Sequence, residues 1–205
     1  NLGCYGQYLI KTPNLDKIAI RGISSNQAYA CGATCIASTA AMFTGMYPHN
    51  TGVYTFNQWA HHRSWIEDLS EAGYHCVNIG KMHVAPRKGK LGFEERIIVE
   101  NPTSNFLENG GVDDVWGRYL AMHGKERPLN RHLSYDNWRY KYQALPRKKK
   151  EHLHPDVFIG NSALAWIERH QQNSPVFLQI GFTAPHEPYH PLPRHLEAYK
   201  DKDVP

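Results

Sequence analysis

The chain has 205 residues, of which 41% are apolar and 12% aromatic, enough for a sizeable core and too much for a disordered segment. Lys and Arg number 23 against 19 Asp and Glu, a net charge of +4 with neutral His, too mild to imply a nucleic-acid partner. No apolar run reaches the roughly 20 residues that cross a bilayer, so no membrane partner is expected.

Thr12-Pro13 reads as a helix start, a capping residue followed by Pro at the first helical position. Leu15, Ile18 and Ala19 give that helix one apolar face, and Gly22 a natural stop. Cys31-x-x-x-Cys35 has no second Cys pair downstream to complete a zinc site, and the four Cys, at 4, 31, 35 and 76, are not spaced as a disulfide framework. A second, Ala-rich helix is predicted over 36–44, ended by Gly45. A third is predicted over 64–72, with Trp65, Ile66 and Leu69 facing inward. Tyr74 to Ile79 then reads as a strand that runs straight into Gly80-Lys81-Met82-His83.

Residues 84–150 carry Gly, Pro, Asn and basic clusters and read as a variable, loop-rich region. Within it, 115–123 is predicted to be a short helix, and Asp113-Asp114 a solvated turn or helix start. A longer helix is predicted over 156–171, with Val157, Gly160, Leu164 and Ile167 as the inward stripe and Trp166 beside it. Val176 to Phe182 is nearly continuously apolar, which suits a buried strand of a largely parallel sheet. It runs into Thr183-Ala-Pro-His186-Glu-Pro-Tyr-His190. Helices alternating with strands indicate the α/β class. The final Asp-Lys-Asp-Val-Pro brings no terminal helix, and both ends read as interior to a larger domain.

Two strands therefore discharge into loops bearing His, one of them with Lys as well. Open α/β sheets form their sites outside the carboxyl ends of strands, which makes Lys81, His83 and His186 candidates for binding an anion. Cys35 stands immediately before the Ala-rich helix, where free N–H groups and a partial positive charge favour a thiolate or another anion. At that position it is either a nucleophile or a small buried residue. His61-His62 and His152-x-His154 read as exposed loop histidines, and Arg147-Lys-Lys-Lys150 as a solvated face. Trp59, Trp116 and Trp138 line a pocket or simply pack.

The segment from Thr34-Cys35-Ile36-Ala37-Ser38-Thr39 through Thr44-Gly45-Met46-Tyr47-Pro48-His49-Asn50-Thr51-Gly52-Val53 resembles the signature of the sulfatase family. The resemblance extends, in the family's order, to Leu2-Gly-Cys-Tyr-Gly6, Thr12-Pro-Asn-Leu-Asp16, Glu71-Ala-Gly-Tyr74, Gly80-Lys-Met-His83 and Pro185-His-Glu-Pro188. It implies an alkaline-phosphatase-like sandwich with a central, mostly parallel sheet flanked by helices, incomplete at both ends. On that reading residues 1–205 form the amino-terminal portion of a single domain. It further implies a hydrolase that cleaves a sulfate ester, on a small molecule or a sulfated glycan. By the same resemblance Cys35 is oxidised to formylglycine by the formylglycine-generating enzyme and becomes both the nucleophile and a ligand of a divalent metal, usually calcium. The remaining ligands are expected outside this chain, and the 205-residue segment alone is not expected to show metal-dependent turnover. Lys81 and His83 match the Lys and His that contact sulfate, and His186 the His beside the leaving oxygen, with His suited to donating a proton near neutral pH. Family habit points to the periplasm, the lysosome or the cell exterior.

Two positions depart from the signature: Ala37 stands where Pro is expected, and Thr39 where Arg is expected. Thr cannot imitate the fixed cation and several donors of Arg. Two alternatives follow from this reading. One is a phosphonate or phosphate ester hydrolase of the same superfamily; the other is a catalytically silent, sulfatase-like protein that binds anions or glycans. A Cys/His thiol hydrolase would need His83 or His186 within hydrogen-bond reach of Cys35.

Overall fold

The computed structural model describes residues 2–55, 57, 59, 62–100, 114–127, 150–170, 174–187 and 189–202. The expectations for His61, Asp113, Trp138 and Arg147 to Lys149 lie outside the described residues. Three parallel strands, β1 (His75–Gly80), β2 (Glu95–Ile98) and β3 (Val176–Gly181), form a sheet in the order β2-β1-β3. Ile79 is opposite Ile97 on one side and Ile180 on the other. Helices α1 (Pro13–Arg21), α2 (Cys35–Thr44), α3 (Pro48–Thr51), α4 (Trp65–Glu71), α5 (Val115–Met122), α6 (Pro155–Arg169) and α7 (Pro193–Tyr199) accompany it.

The helix ends follow from local chemistry. Gly45 ends α2 in the left-handed conformation at φ 69°, its N–H donating to Ala41 O at 2.9 Å. Ser64 caps α4 through a reciprocal capping box with Glu67. Thr12 does not cap α1 as the sequence suggested. Its hydroxyl instead accepts from Gly3 N and donates to Asp16 Oδ1, both at 2.9 Å, tying the first turn of the chain to the helix.

Alternation along β1 splits the core into two layers. Val77 and Ile79 face α5 and α6, packing with Val99, Trp116, Leu120, Leu153, Ile159 and Ala163. Cys76 faces α2 and α4, packing with Phe43, Ile66, Met82, Val84 and Phe93. The helices thus cover both faces of a parallel sheet, as the α/β expectation requires.

Several packing expectations are corrected. In α6 the buried residues are Ile159 and Ala163, while Leu164 and Ile167 are exposed, so the helix is turned from the stripe read in the sequence. Among the described residues α1 buries nothing, and its Leu15 and Ile18 are exposed. Trp65 is also partly open, its indole N–H donating to Met42 O at 2.8 Å to join α4 to α2. Strand β3 pairs with β1 alone among the described residues, and its Val176 and Ile180 are exposed rather than buried. Strand β2 lies inside the region read as loop, and the short helix α7 precedes the last residues.

At the amino end of the sheet, His75 lies between Glu94 and Glu95, with ring nitrogen to carboxylate distances of 3.0 and 2.8 Å. Burial alone would push this imidazole down, but its bonds to Glu95 and Glu94 outweigh that effect and raise its pKa above 6.5. The stabilisation from the protonated ring is complete below about pH 6.5, the unfolded-state value, and is lost as pH rises through the higher folded value. Melting of the full-length protein across pH 5.5–8.5 should therefore show a loss of stability on the alkaline side that His75→Gln lacks. Parallel Tm curves for the two proteins would contradict the assignment.

Candidate active site

The carboxyl ends of β1 and β3 emerge side by side. Gly80 and Gly181 are register partners, and Lys81 N donates to Gly181 O at 2.7 Å. The two loops that follow carry Lys81, His83 and His186.

In the first loop, side chains alternate between core and site. Met82 and Val84 are 3% and 4% exposed and pack on Phe43 and Phe93, whereas Lys81 and His83 are only partly buried. His83 takes a left-handed backbone at φ 55°, uncommon for a non-glycine residue and a mark of a locally imposed shape. The Glu100 carboxylate lies directly behind the turn. Its Oε1 accepts from His83 N at 2.9 Å and from Met82 N at 3.4 Å.

The second loop is held in a parallel way. Asp156, in the first turn of α6, accepts from Thr183 N and Thr183 Oγ1, both at 2.7 Å, and from Ala184 N at 3.1 Å. His154 caps the same helix, its Nδ1 accepting from Asp156 N at 3.2 Å, and its Nε2 lies 3.2 Å from His190 O. His154 is thus a half-buried structural residue, not the exposed loop histidine expected, while His152 packs beside Tyr119. His186 is exposed, with Nδ1 against its own neighbour Glu187, 2.7 Å from the carbonyl and 3.2 Å from the carboxylate.

Lys81 and His186 lie close enough to His83 to act on it electrostatically. Burial first, then the Lys81 charge and the neighbouring His186, pushes the His83 pKa down to about 4. A ring held this low is neutral at physiological pH in the free site. A neutral imidazole still donates one hydrogen bond. The Lys81 charge and the imidazole N–H groups favour an anionic ligand at this cluster.

Cys35 is the first residue of α2, half-buried, with Thr34 preceding it in an extended conformation. The first intrahelical bond is Ser38 N to Thr34 O at 2.9 Å, so the N–H groups of Cys35, Ile36 and Ala37 have no acceptor within the helix. The buried side of α2 packs on the Lys81 loop: Ile36, Ala37 and Ala40 cluster with Val53 and Ala85, and Phe43 meets Met82 and Val84. That packing fixes the helix start relative to Lys81 and His83. Ala37 is 1% exposed at the third helical position, and Thr39 is half-buried on the same helix.

Among the described residues no three His, Cys, Asp or Glu side chains are grouped to hold a metal ion. The described residues therefore do not by themselves supply the donor set of a complete divalent-cation site. Of the two readings of Asp114, the helix start holds and the solvated turn does not: it is 1% exposed and caps α5, accepting from Gly117 N at 2.7 Å. Glu100 and Asp156 are the site-supporting residues that motif and spacing did not reveal. Trp116 and Trp59 pack in the core, Trp116 with its indole N–H to Leu153 O at 3.2 Å. No described helix is long and apolar enough to cross a membrane.

Comparison with known proteins places this site in context. The family model described as Sulfatase matches residues 1–205. An arylsulfatase of Clostridium perfringens is 31% identical over 218 residues, covering 100% of this chain and 44% of the relative. An N-acetylglucosamine-6-O-sulfatase of Bacteroides thetaiotaomicron is 27% identical over 212 residues, covering 100% of this chain and 31% of the relative. The chain spans less than half the length of both. Among solved structures, the phosphonate monoester hydrolase of Agrobacterium radiobacter superposes with a TM-score of 0.73 at 18% identity, over 100% of this chain and 42% of that one. This last likeness is one of fold, the alkaline-phosphatase-like α/β architecture expected from the sequence, of which the chain covers a part.

Proposed function

The chain belongs to the sulfatase family, and on that premise we propose that the protein it forms part of hydrolyses sulfate esters. A sulfated sugar is the substrate class, in keeping with the name of the N-acetylglucosamine-6-O-sulfatase relative. The observation that carries the reading is that Lys81, His83 and His186 lie on the two loops leaving the adjacent carboxyl ends of β1 and β3, with the Cys35 helix packed against the first of them.

Cys35 is the nucleophile precursor, matured by the formylglycine-generating enzyme despite Ala37 and Thr39. As formylglycine it supplies a hydrated aldehyde, whose second hydroxyl allows sulfate to be expelled after transfer. Around it, Lys81 holds a sulfate oxygen as a point charge. His83, neutral and partly buried, orients the sulfate through a single N–H. His186 serves the leaving oxygen: Glu187 holds its Nδ1, which leaves Nε2 to deliver a proton. Charge developing on the sulfate and leaving oxygens in the transition state is met by preorganised donors, the effect through which such sites accelerate transfer. A divalent cation, calcium by family habit, completes the site through groups beyond those described.

Side-by-side turnover of an aryl sulfate, an aryl phosphonate and an aryl phosphate by the full-length protein tests the reading. The expected result is the highest kcat/KM on the sulfate. A clear preference for phosphonate or phosphate would overturn it.

A further inference from the structure

We propose that Glu100 is the positioning residue of the anion-binding loop, its buried carboxylate setting the turn that holds Lys81 and His83 toward one ligand. The proposal rests on the hydrolase reading for its catalytic consequence, but the hold on the loop stands on geometry alone.

Glu100 follows β2 and is 3% exposed. Because β2 runs parallel to β1, the residues after both strands emerge at the same end of the sheet. There the N–H groups of Met82 and His83 point together at Glu100 Oε1. Successive backbone N–H groups around a left-handed residue form a concavity suited to an anion. Here the anion is supplied from within the fold, and the φ of 55° at His83 is the shape that the contact requires.

The carboxylate is itself held rigidly. Glu100 N donates to Asp114 Oδ2 at 3.0 Å, and Asp114 caps α5. The Arg127 guanidinium bonds both the Asp114 carboxylate and the Glu100 carbonyl, and lies 4.8 Å from the Trp116 ring centre. This buried chain runs from the packed layer of α5 to the loop of the candidate active site. Burying a carboxylate opposes stability, and an apolar residue of similar volume would often serve the core equally well. What an apolar residue could not do is accept two backbone N–H bonds and fix the loop.

The test uses the full-length protein with an aryl sulfate as probe, together with hydrogen exchange at the Met82 and His83 amides. Glu100→Gln keeps an acceptor oxygen and should hold kcat within about fivefold of wild type with both amides still protected. Glu100→Ala removes the acceptor and should lower kcat by about 10²-fold, since a misplacement near 1 Å costs that much, with a smaller change in KM and faster exchange at both amides. Glu100→Asp, shorter by one methylene, should fall between the two and replaces the alanine variant if that protein does not fold. His75→Gln, at the amino end of the sheet and away from both site loops, should lower Tm at about pH 6 while leaving kcat within about twofold. The proposal is overturned if Glu100→Ala and Glu100→Asp both keep wild-type kcat, if exchange at the two amides does not respond, or if His75→Gln loses as much kcat. An inactive wild type with the expected exchange pattern would overturn the hydrolase reading and support the hold of Glu100 on the loop.

Discussion

Replacing Cys35 with Ala in the full-length protein is expected to lower aryl sulfate turnover by on the order of 10⁴-fold or more, the scale of losing a covalent nucleophile. The fold should tolerate the change well. Cys35 is half-buried at the first position of α2, whose packing rests on Ile36, Ala37, Ala40 and Phe43 rather than on the thiol. Alanine is also a good helix former, so Tm should move by no more than about 4–8 °C, the equivalent of about 1 kcal/mol for a small domain. Steady-state rates and a melting curve on the same preparation check both halves. Retained turnover would remove Cys35 from the chemistry and leave Lys81, His83 and His186 as an anion site without a nucleophile.

The second large effect is expected at the seam between the two site loops. Gly80 has φ 102°, a conformation that favours glycine, and a Cβ there would be driven into the Gly181 carbonyl. A Cβ on Gly181 would in turn meet the Lys81 carbonyl. Both obstacles are backbone, so no side-chain rotation relieves them. Gly80→Ala should therefore cost about 3 kcal/mol or more, from backbone strain and forced separation of the strands together. The protein that does fold should lose activity beyond its loss of stability, because the Lys81 and His186 loops spring from this pair. Chemical denaturation and kcat on the folded fraction provide the measurement. A Gly80→Ala protein with wild-type stability would show that the strands do not approach so closely.

These two positions illustrate what sequence could and could not reveal. The nucleophile helix was legible because its signals are local: an Ala-rich run, a Gly stop and a Cys at the start. Strand β1 was legible for the same reason, since Cys76, Val77 and Ile79 form an apolar run that ends in Gly80. The inward face of α6 was not, because two stripes satisfy helical periodicity. One contains Val157, Leu164 and Ile167, the other Ile159, Ala163 and Trp166, and only tertiary packing selects between them. Strand β2 was missed because four residues, two of them charged, carry little strand signal on their own.

The candidate site divides along the same line. Lys81, His83 and His186 can be singled out as candidates because residues after buried strands occupy a privileged place in α/β folds. Glu100 and Asp156 cannot, because they accept hydrogen bonds from backbone N–H groups distant in sequence. Such a partner has no characteristic spacing and no side-chain type beyond an acceptor. The low pKa of His83 was equally invisible, since it arises from burial and two neighbouring basic groups brought together by the fold.

The central claim is that Cys35 acts as formylglycine in a sulfate-ester hydrolase. Mass spectrometry of the peptide spanning Cys35, taken from full-length protein active on an aryl sulfate, tests it most directly. The account predicts the aldehyde at Cys35, with its abundance across preparations tracking specific activity. An unmodified thiol throughout an active preparation would contradict it.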